Sequence, residues 1–173
     1  MRKVEVKPYT VEWEFMFEEE KKKIREIFKD ELVDVYHIGS TSVKGMMAKP
    51  IIDLMPVVKE INKVDDFNKA MKAISYHPKG ENGITGRRYF EKGGDVRTHH
   101  VHIYEVGDEQ IERHVAFRDY LRVHSKERME YGKLKVELAE RYPFNINAYI
   151  NGKKEVVSKI ESKAINWNRQ ENR

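Results

Sequence analysis

The chain has 173 residues, 39% hydrophobic and 36% charged, with 33 Lys and Arg set against 29 Asp and Glu for a formal net charge of +4. That length suits one domain over 1–173 with a sizeable core, and the interleaving of basic with acidic residues lacks the dense basic stripe of a nucleic-acid binder, so a nucleic-acid partner is not expected. The absence of cysteine excludes disulfides, thiolate metal sites and cysteine nucleophiles, and without a signal-peptide core or an apolar run of bilayer length a soluble, cytoplasmic protein with no membrane partner is expected.

Near the start, Pro8 and the helix-cap residue Thr10 precede Trp13, Phe17, Ile24 and Phe28, which recur at helical spacing. Residues 33–38 are β-branched and aromatic and stop at Gly39. A second short strand covers 51–58, interrupted by Asp53. Ile61, Val64, Phe67, Met71 and Ile74 then mark an amphipathic helix, and 79–86 read as a loop. Two more strands are expected at 87–91 and 100–106, joined by the turn-rich Lys92-Gly93-Gly94-Asp95. The remainder has helical periodicity: Ile111, Val115, Arg118 and Leu121 lie on one stripe, Tyr131, Leu134 and Leu138 on another. A last helix carrying Val156, Ile160 and Ala164 is expected after a turn at Asn151-Gly152. This order predicts an α+β fold, a small mixed β-sheet backed by helices with a helical C-terminal third.

Three features carry chemistry. Gly39 ends a strand and is followed by Ser40, Thr41 and Ser42, so the backbone can approach a ligand closely while hydroxyls and N–H groups point at it. Such a loop is also an ordinary helix cap. Asp53 stands in the apolar run Ile51-Ile52-Asp53-Leu54-Met55, and a carboxylate there is costly unless paired, hydrogen-bonded or bound to metal. Alternation puts Met55 on the face of Asp53 and Leu54 on the other. In His99-His100-Val101-His102-Ile103-Tyr104 the same rule places Val101 and Ile103 in the core and His100, His102 and Tyr104 together opposite. Two imidazoles at that spacing can converge on a metal or a phosphate, and Arg87, Arg88 and Arg97 are close in sequence. Arg118 shares a helical stripe with His114 and Leu121, either facing a ligand or paired with a neighbouring carboxylate. Tyr131, Lys135 and the final basic helix read as structural.

The segments His37-Ile38-Gly39-Ser40-Thr41-Ser42-Val43 and Ala48-Lys49-Pro50-Ile51-Ile52-Asp53-Leu54 resemble the signature of the GrpB family. So do Gly86-Arg87-Arg88-Tyr89-Phe90, Arg97-Thr98-His99-His100-Val101-His102 and Phe117-Arg118-Asp119-Tyr120-Leu121-Arg122. That family is similar in fold to the nucleotidyltransferase superfamily, whose pattern is a Gly-Ser turn, an acidic pair on the next strand and a third carboxylate on a later one, holding two Mg²⁺ ions against a triphosphate. Gly39, Ser40 and Asp53 match. Met55 replaces the second acid, and His100 and His102 stand where the third is expected. The resemblance therefore implies a divergent nucleotidyltransferase-like protein that acts on or binds a nucleotide or other phosphate-bearing small molecule. The alternative is a non-catalytic phosphate-binding module that has lost two carboxylates. On either reading Gly39, Ser40, Thr41, Ser42, Lys49, Arg88, Arg97, His100 and Arg118 are expected at the ligand. Asp53 and His102 are the expected catalytic pair. Asp53, His100 and His102 are the expected ligands of a divalent metal, Mg²⁺, Mn²⁺ or Zn²⁺, with an imidazole-accepting ion favoured over Mg²⁺.

Overall fold

The computed structural model describes residues 2–172. Helix α1 (Glu12–Phe28) buries the four apolar positions that recur at helical spacing, and Thr10 Oγ1 accepts the Glu12 N–H at 3.3 Å. Five strands follow: β1 (Leu32–Ile38), β2 (Ile52–Val58), the two-residue β3 (His77–Pro78), β4 (Arg88–Lys92) and β5 (His99–Glu105). They form one sheet in the order β1-β2-β5-β4-β3. The central β2–β5 pair is parallel and every other neighbouring pair antiparallel, so the fold is α+β with a mixed sheet.

The stretch expected as one amphipathic helix is two pieces, a 3₁₀ segment Ile61–Phe67 and helix α2 (Asn68–Ala73). The first piece is tied to the sheet: Arg88 Nε donates to Asp65 Oδ1 at 2.8 Å and Glu105 Oε1 accepts the Ile61 N–H at 3.2 Å. Both pieces still turn apolar residues inward, with Val64 and Met71 fully buried. The C-terminal third holds α3 (Glu109–Val123), α4 (Ser125–Arg141) and α5 (Ile146–Glu171). Side chains cap two of them: Asp108 accepts the Gln110 N–H at 2.9 Å, and Asn145 the Ala148 N–H at 3.0 Å.

The expected turn at Asn151-Gly152 does not exist, because both residues lie inside α5. Gly152 has a packing reason instead. A Cβ there would stand 2.5 Å from Leu138 Cδ2, so the missing side chain lets α5 approach α4.

Alternation along the strands splits the sheet into two faces. One carries Val35, Ile52, Leu54, Phe90, Val101 and Ile103 against α1 and α2. The other carries Ile38, Met55 and Tyr104, packed with Ile111 and Val115 of α3. Asp53, His100 and His102 lie on this second face, which α3 covers only partly.

A buried ion network fixes α1 to the sheet edge. Glu20, only 3% exposed, accepts the Tyr76 hydroxyl at 2.8 Å and the ammonium groups of Lys92 at 2.8 Å and Lys23 at 2.9 Å. Burial pushes its carboxyl up, but the bonds from Lys92, Lys23 and Tyr76 prevail and bring it down to about 2 from 4.5. A carboxyl held below its unfolded value contributes stability above about pH 4.5, lost as pH falls towards 2. Glu20→Gln should thus cost on the order of 2–3 kcal/mol near neutral pH and much less near pH 2, read by denaturant unfolding at both pH values. An equal deficit at both would show that the charge on Glu20 contributes nothing.

Candidate functional site

Gly39 has φ 71° and ψ −175°, a conformation essentially closed to residues with a Cβ. After it the chain makes the 3₁₀ turn Ser40–Ser42, in which the Ser42 and Val43 N–H groups bond back to the Gly39 and Ser40 carbonyls. Behind the turn, His37 stacks on Phe17 at 4.6 Å and its Nε2 lies 2.9 Å from Thr41 Oγ1. Burial brings the His37 imidazole down to about 4, so it is neutral at physiological pH. Arg118 and Arg122 hold this turn from outside. Arg118 Nη1 donates to the His37 carbonyl at 3.2 Å, and Arg122 Nη2 to the Ser42 carbonyl at 2.8 Å.

Register brings Asp53 opposite Ile38 in β1 and His100 in β5. Its Oδ1 lies 3.0 Å from His102 Nε2 and 3.4 Å from His100 Nδ1. Burial raises the Asp53 carboxyl, but the hydrogen bonds from His100 and His102 outweigh that and hold it well below the usual carboxylate range. Its other oxygen, Oδ2, lies 2.5 Å from where a Gly39 Cβ would be. The glycine is therefore required by Asp53 itself, whatever else approaches the turn.

A cavity of about 560 Å³ opens between this turn, the N-terminal end of β2 at Asp53 and the three C-terminal helices. Gly39, Ser40, Thr41, Lys49, Asp53 and His100 line it, all from the expected set. His102 sits behind Asp53, beside the half-buried His114 at 5.7 Å between ring centres. Burial, with the charge of Arg113, takes the His114 imidazole down to about 3. Besides His102, four expected residues lie off the cavity lining. Ser42 turns its hydroxyl to the Gly39 carbonyl, Arg88 is clamped on Asp65, Arg97 pairs with Glu91 at 2.8 Å, and Arg118 pairs with Asp119 at 2.9 Å while holding the turn.

Lys135 and Lys153, which sequence periodicity leaves as structural, also line the cavity. Lys135, 2% exposed, donates to Ser40 Oγ at 2.8 Å and stands 4.4 Å from the Tyr131 ring centre. Lys49 and Lys153 flank the Tyr149 ring at 5.1 and 5.2 Å. Among the described residues none of the three pairs with a carboxylate. Burial, reinforced by Lys153, brings Lys49 down to about 8. Burial likewise takes Lys135 well below its ordinary value, with Lys153 and Lys49 adding to the effect, and lowers Lys153. A signal existed in the sequence: Lys135 follows Tyr131 by four residues and precedes Leu138 by three, which places it on the apolar stripe of α4.

Asp53, His100 and His102 offer ligand atoms all within 4.8 Å of one another, a spacing that suits one divalent ion. The position two residues beyond Asp53 offers nothing, since Met55 is fully buried with Ile38 and Tyr104. On the far side of each histidine stands a guanidinium. Arg87 Nη1 lies 3.4 Å from His102 Nδ1, and Arg97 Nη1 3.1 Å from His100 Nε2.

A mixed sheet with a Gly-Ser turn leading to an acidic strand, closed by helices, is the arrangement of nucleotidyltransferase-like folds. Cid1 poly(U) polymerase, in its complex with the short product ApU, superposes with a TM-score of 0.53 at 11% identity, over 78% of this chain and 43% of that one. The chain belongs to the GrpB family, whose sequence profile, "GrpB protein", matches residues 3–163. The crystal structure of the conserved protein GrpB from Enterococcus faecalis is 44% identical, with a TM-score of 0.92 over 95% of this chain and 99% of that chain. Among curated relatives, UPF0157 protein YqkA of Bacillus subtilis is 50% identical over 99% of this chain, which spans only 50% of that protein's length. Glutamate-rich protein GrpB of Alkalihalophilus pseudofirmus is 35% identical over 86% of this chain and 88% of its own.

Gly39→Ala combines a strained backbone with a Cβ driven into Asp53 Oδ2. It should lower stability by about 2–3 kcal/mol, visible as a fall in the unfolding midpoint. A melting temperature equal to wild type would show that turn and carboxylate can part freely.

Proposed function

We propose that this protein binds the phosphate groups of a nucleotide or similarly phosphorylated small molecule in the cavity between the Gly39–Thr41 turn and the C-terminal helices. One observation carries the reading. Lys49, Lys135 and Lys153 converge on that cavity from three different segments, Lys135 buried and the other two half-buried, without carboxylate partners among the described residues. Gathering uncompensated ammonium groups costs stability, and a multiply charged anion relieves that cost on binding. The turn adds the hydroxyls of Ser40 and Thr41, and Asp53 bounds the cavity where a ligand hydroxyl can donate to it. The fold points the same way: Cid1, similar only in fold at 11% identity, has a structure with the UTP analogue UMPNPP.

Two-metal nucleotidyl transfer is the less supported form of this function. That chemistry needs a cage of carboxylates, and Met55 is sealed under α3 with no acid in its place. Binding of the phosphorylated ligand is the primary reading, and any transfer step would rest on Asp53 and His102.

Calorimetric titration with pyrophosphate and with nucleoside triphosphates tests this directly. Replacing Lys135 or Lys153 with Met should weaken binding about tenfold each, close to 1.4 kcal/mol, as expected for loss of one charge-assisted contact. Lys49 is charged below about pH 8, while a terminal phosphate is fully ionised above about pH 7. Affinity should therefore be greatest between these values and fall as pH rises further, with proton uptake on binding in the alkaline limb. Failure of every phosphate compound to bind, or equal affinity in the lysine variants, would remove the proposal.

A further inference from the structure

The two arginines beside the histidine pair fix the direction of every hydrogen bond in the cluster. A guanidinium has five N–H donors and no acceptor, so the ring nitrogen it meets must present a lone pair. Arg87 Nη1 meets His102 Nδ1 at 3.4 Å. The His102 proton is therefore on Nε2, the nitrogen 3.0 Å from Asp53 Oδ1. Arg97 Nη1 meets His100 Nε2 at 3.1 Å, which puts the His100 proton on Nδ1, the nitrogen 3.4 Å from the same oxygen. A doubly protonated ring would set donor against donor at either arginine. The two rings thus hold opposite tautomers, each with its N–H towards one carboxylate oxygen.

Neither arginine is free to leave. Arg87 is 7% exposed and donates to the Glu81 and Asn82 carbonyls at 3.1 and 2.8 Å. Arg97 is held by Glu91 Oε2 at 2.8 Å and the Gly94 carbonyl at 3.2 Å. We propose that Arg87 and Arg97 are positioning residues that hold His102 and His100 as neutral N–H donors to Asp53, so that the cluster is a carboxylate cradle closed to divalent cations and the cavity takes its ligand without a metal there. The last clause rests on the lysine reading of the cavity.

Metal ligation needs a lone pair on the nitrogen that faces the ion. Here those are His102 Nε2 and His100 Nδ1, the two that carry protons. Moving each proton to the far nitrogen would press an N–H against a guanidinium N–H. A histidine that binds metal ordinarily donates its other N–H to a carboxylate or carbonyl, and in this site the outer partners have the reverse polarity. The nearby ammonium groups of Lys49 and Lys153, which line the same cavity, add a field that repels a cation and supplies the positive charge a phosphate requires.

Histidine ring ¹⁵N spectra of the labelled full chain near neutral pH read the tautomers directly. The expected result is Nε2–H on His102 and Nδ1–H on His100, and the opposite tautomer on either ring overturns the proposal. Titration with Mn²⁺ should leave both ring signals unbroadened in the wild type. In Arg87→Met/Arg97→Met, Mn²⁺ affinity at the cluster should rise about tenfold or more, the range by which outer partners alter metal sites. Mn²⁺ bound by the wild type through His100 or His102 would also overturn it. Should the double variant fail to fold, the wild-type spectra and Mn²⁺ titration decide alone. Pyrophosphate should bind the wild type equally with and without a chelator. A strict metal requirement refutes the cradle, whereas no binding under either condition refutes the lysine reading and leaves the tautomer result standing.

Discussion

A carboxylate within an apolar strand must find donors or cost the fold several kcal/mol, and Asp53 makes that demand at the start of β2, inside the sheet. Much of the neighbouring sequence answers it. The parallel register of β2 and β5 brings His100 alongside and His102 within reach, both N–H groups falling on one oxygen. On the other side Gly39 gives way, since any side chain there would occupy the space of the second oxygen. The turn after Gly39, the serine and threonine it displays, and the arginines that hold it are all placed with reference to this carboxylate.

Around that negative centre the cavity is built from two halves of opposite sign. The sheet supplies a carboxylate already satisfied by imidazoles, and the helices supply ammonium groups that are not satisfied. Lys135 and Lys153 reach inward from α4 and α5, and Lys49 from the segment before β2, with aromatic rings beneath each. Aromatic faces soften the burial of a cation without neutralising it. Burial is the main cause of their lowered pKa values, and neighbouring lysines add to it at Lys49 and Lys135, so a bound polyanion relaxes the cost of gathering these charges.

The sheet half of this arrangement is legible in the sequence because strand alternation is a local rule. Residues 51–55 and 99–104 suffice to put Asp53, His100 and His102 on one face, and only Gly fits the end of β1. The helical half is not, because which stripe of a helix faces a ligand depends on how the helices pack. Lys135 lies on an apolar stripe and could be suspected from it, but nothing local distinguishes a buried lysine from one that snorkels to solvent. Arg118 has a suggestive stripe, yet it braces the His37 carbonyl. Gly152 reads as a turn by composition, while its true reason is a contact with Leu138, distant in sequence, that only the packed helices reveal.

The parallel pairing at the centre of the sheet has a kinetic consequence. Antiparallel neighbours such as β4 and β5 can zip from a short connection, but β2 and β5 meet only after the intervening helix and hairpin have been laid down. The entropy of closing that long loop is lost before the contacts that reward it are made. Asp53 gains its imidazole donors only with this closure. Dehydration of Asp53 and docking of β5 are thus one event, and the cluster acts as a checkpoint on strand register: a slip by one residue would turn His100 and His102 towards α1 and leave Asp53 facing Val101 or His99.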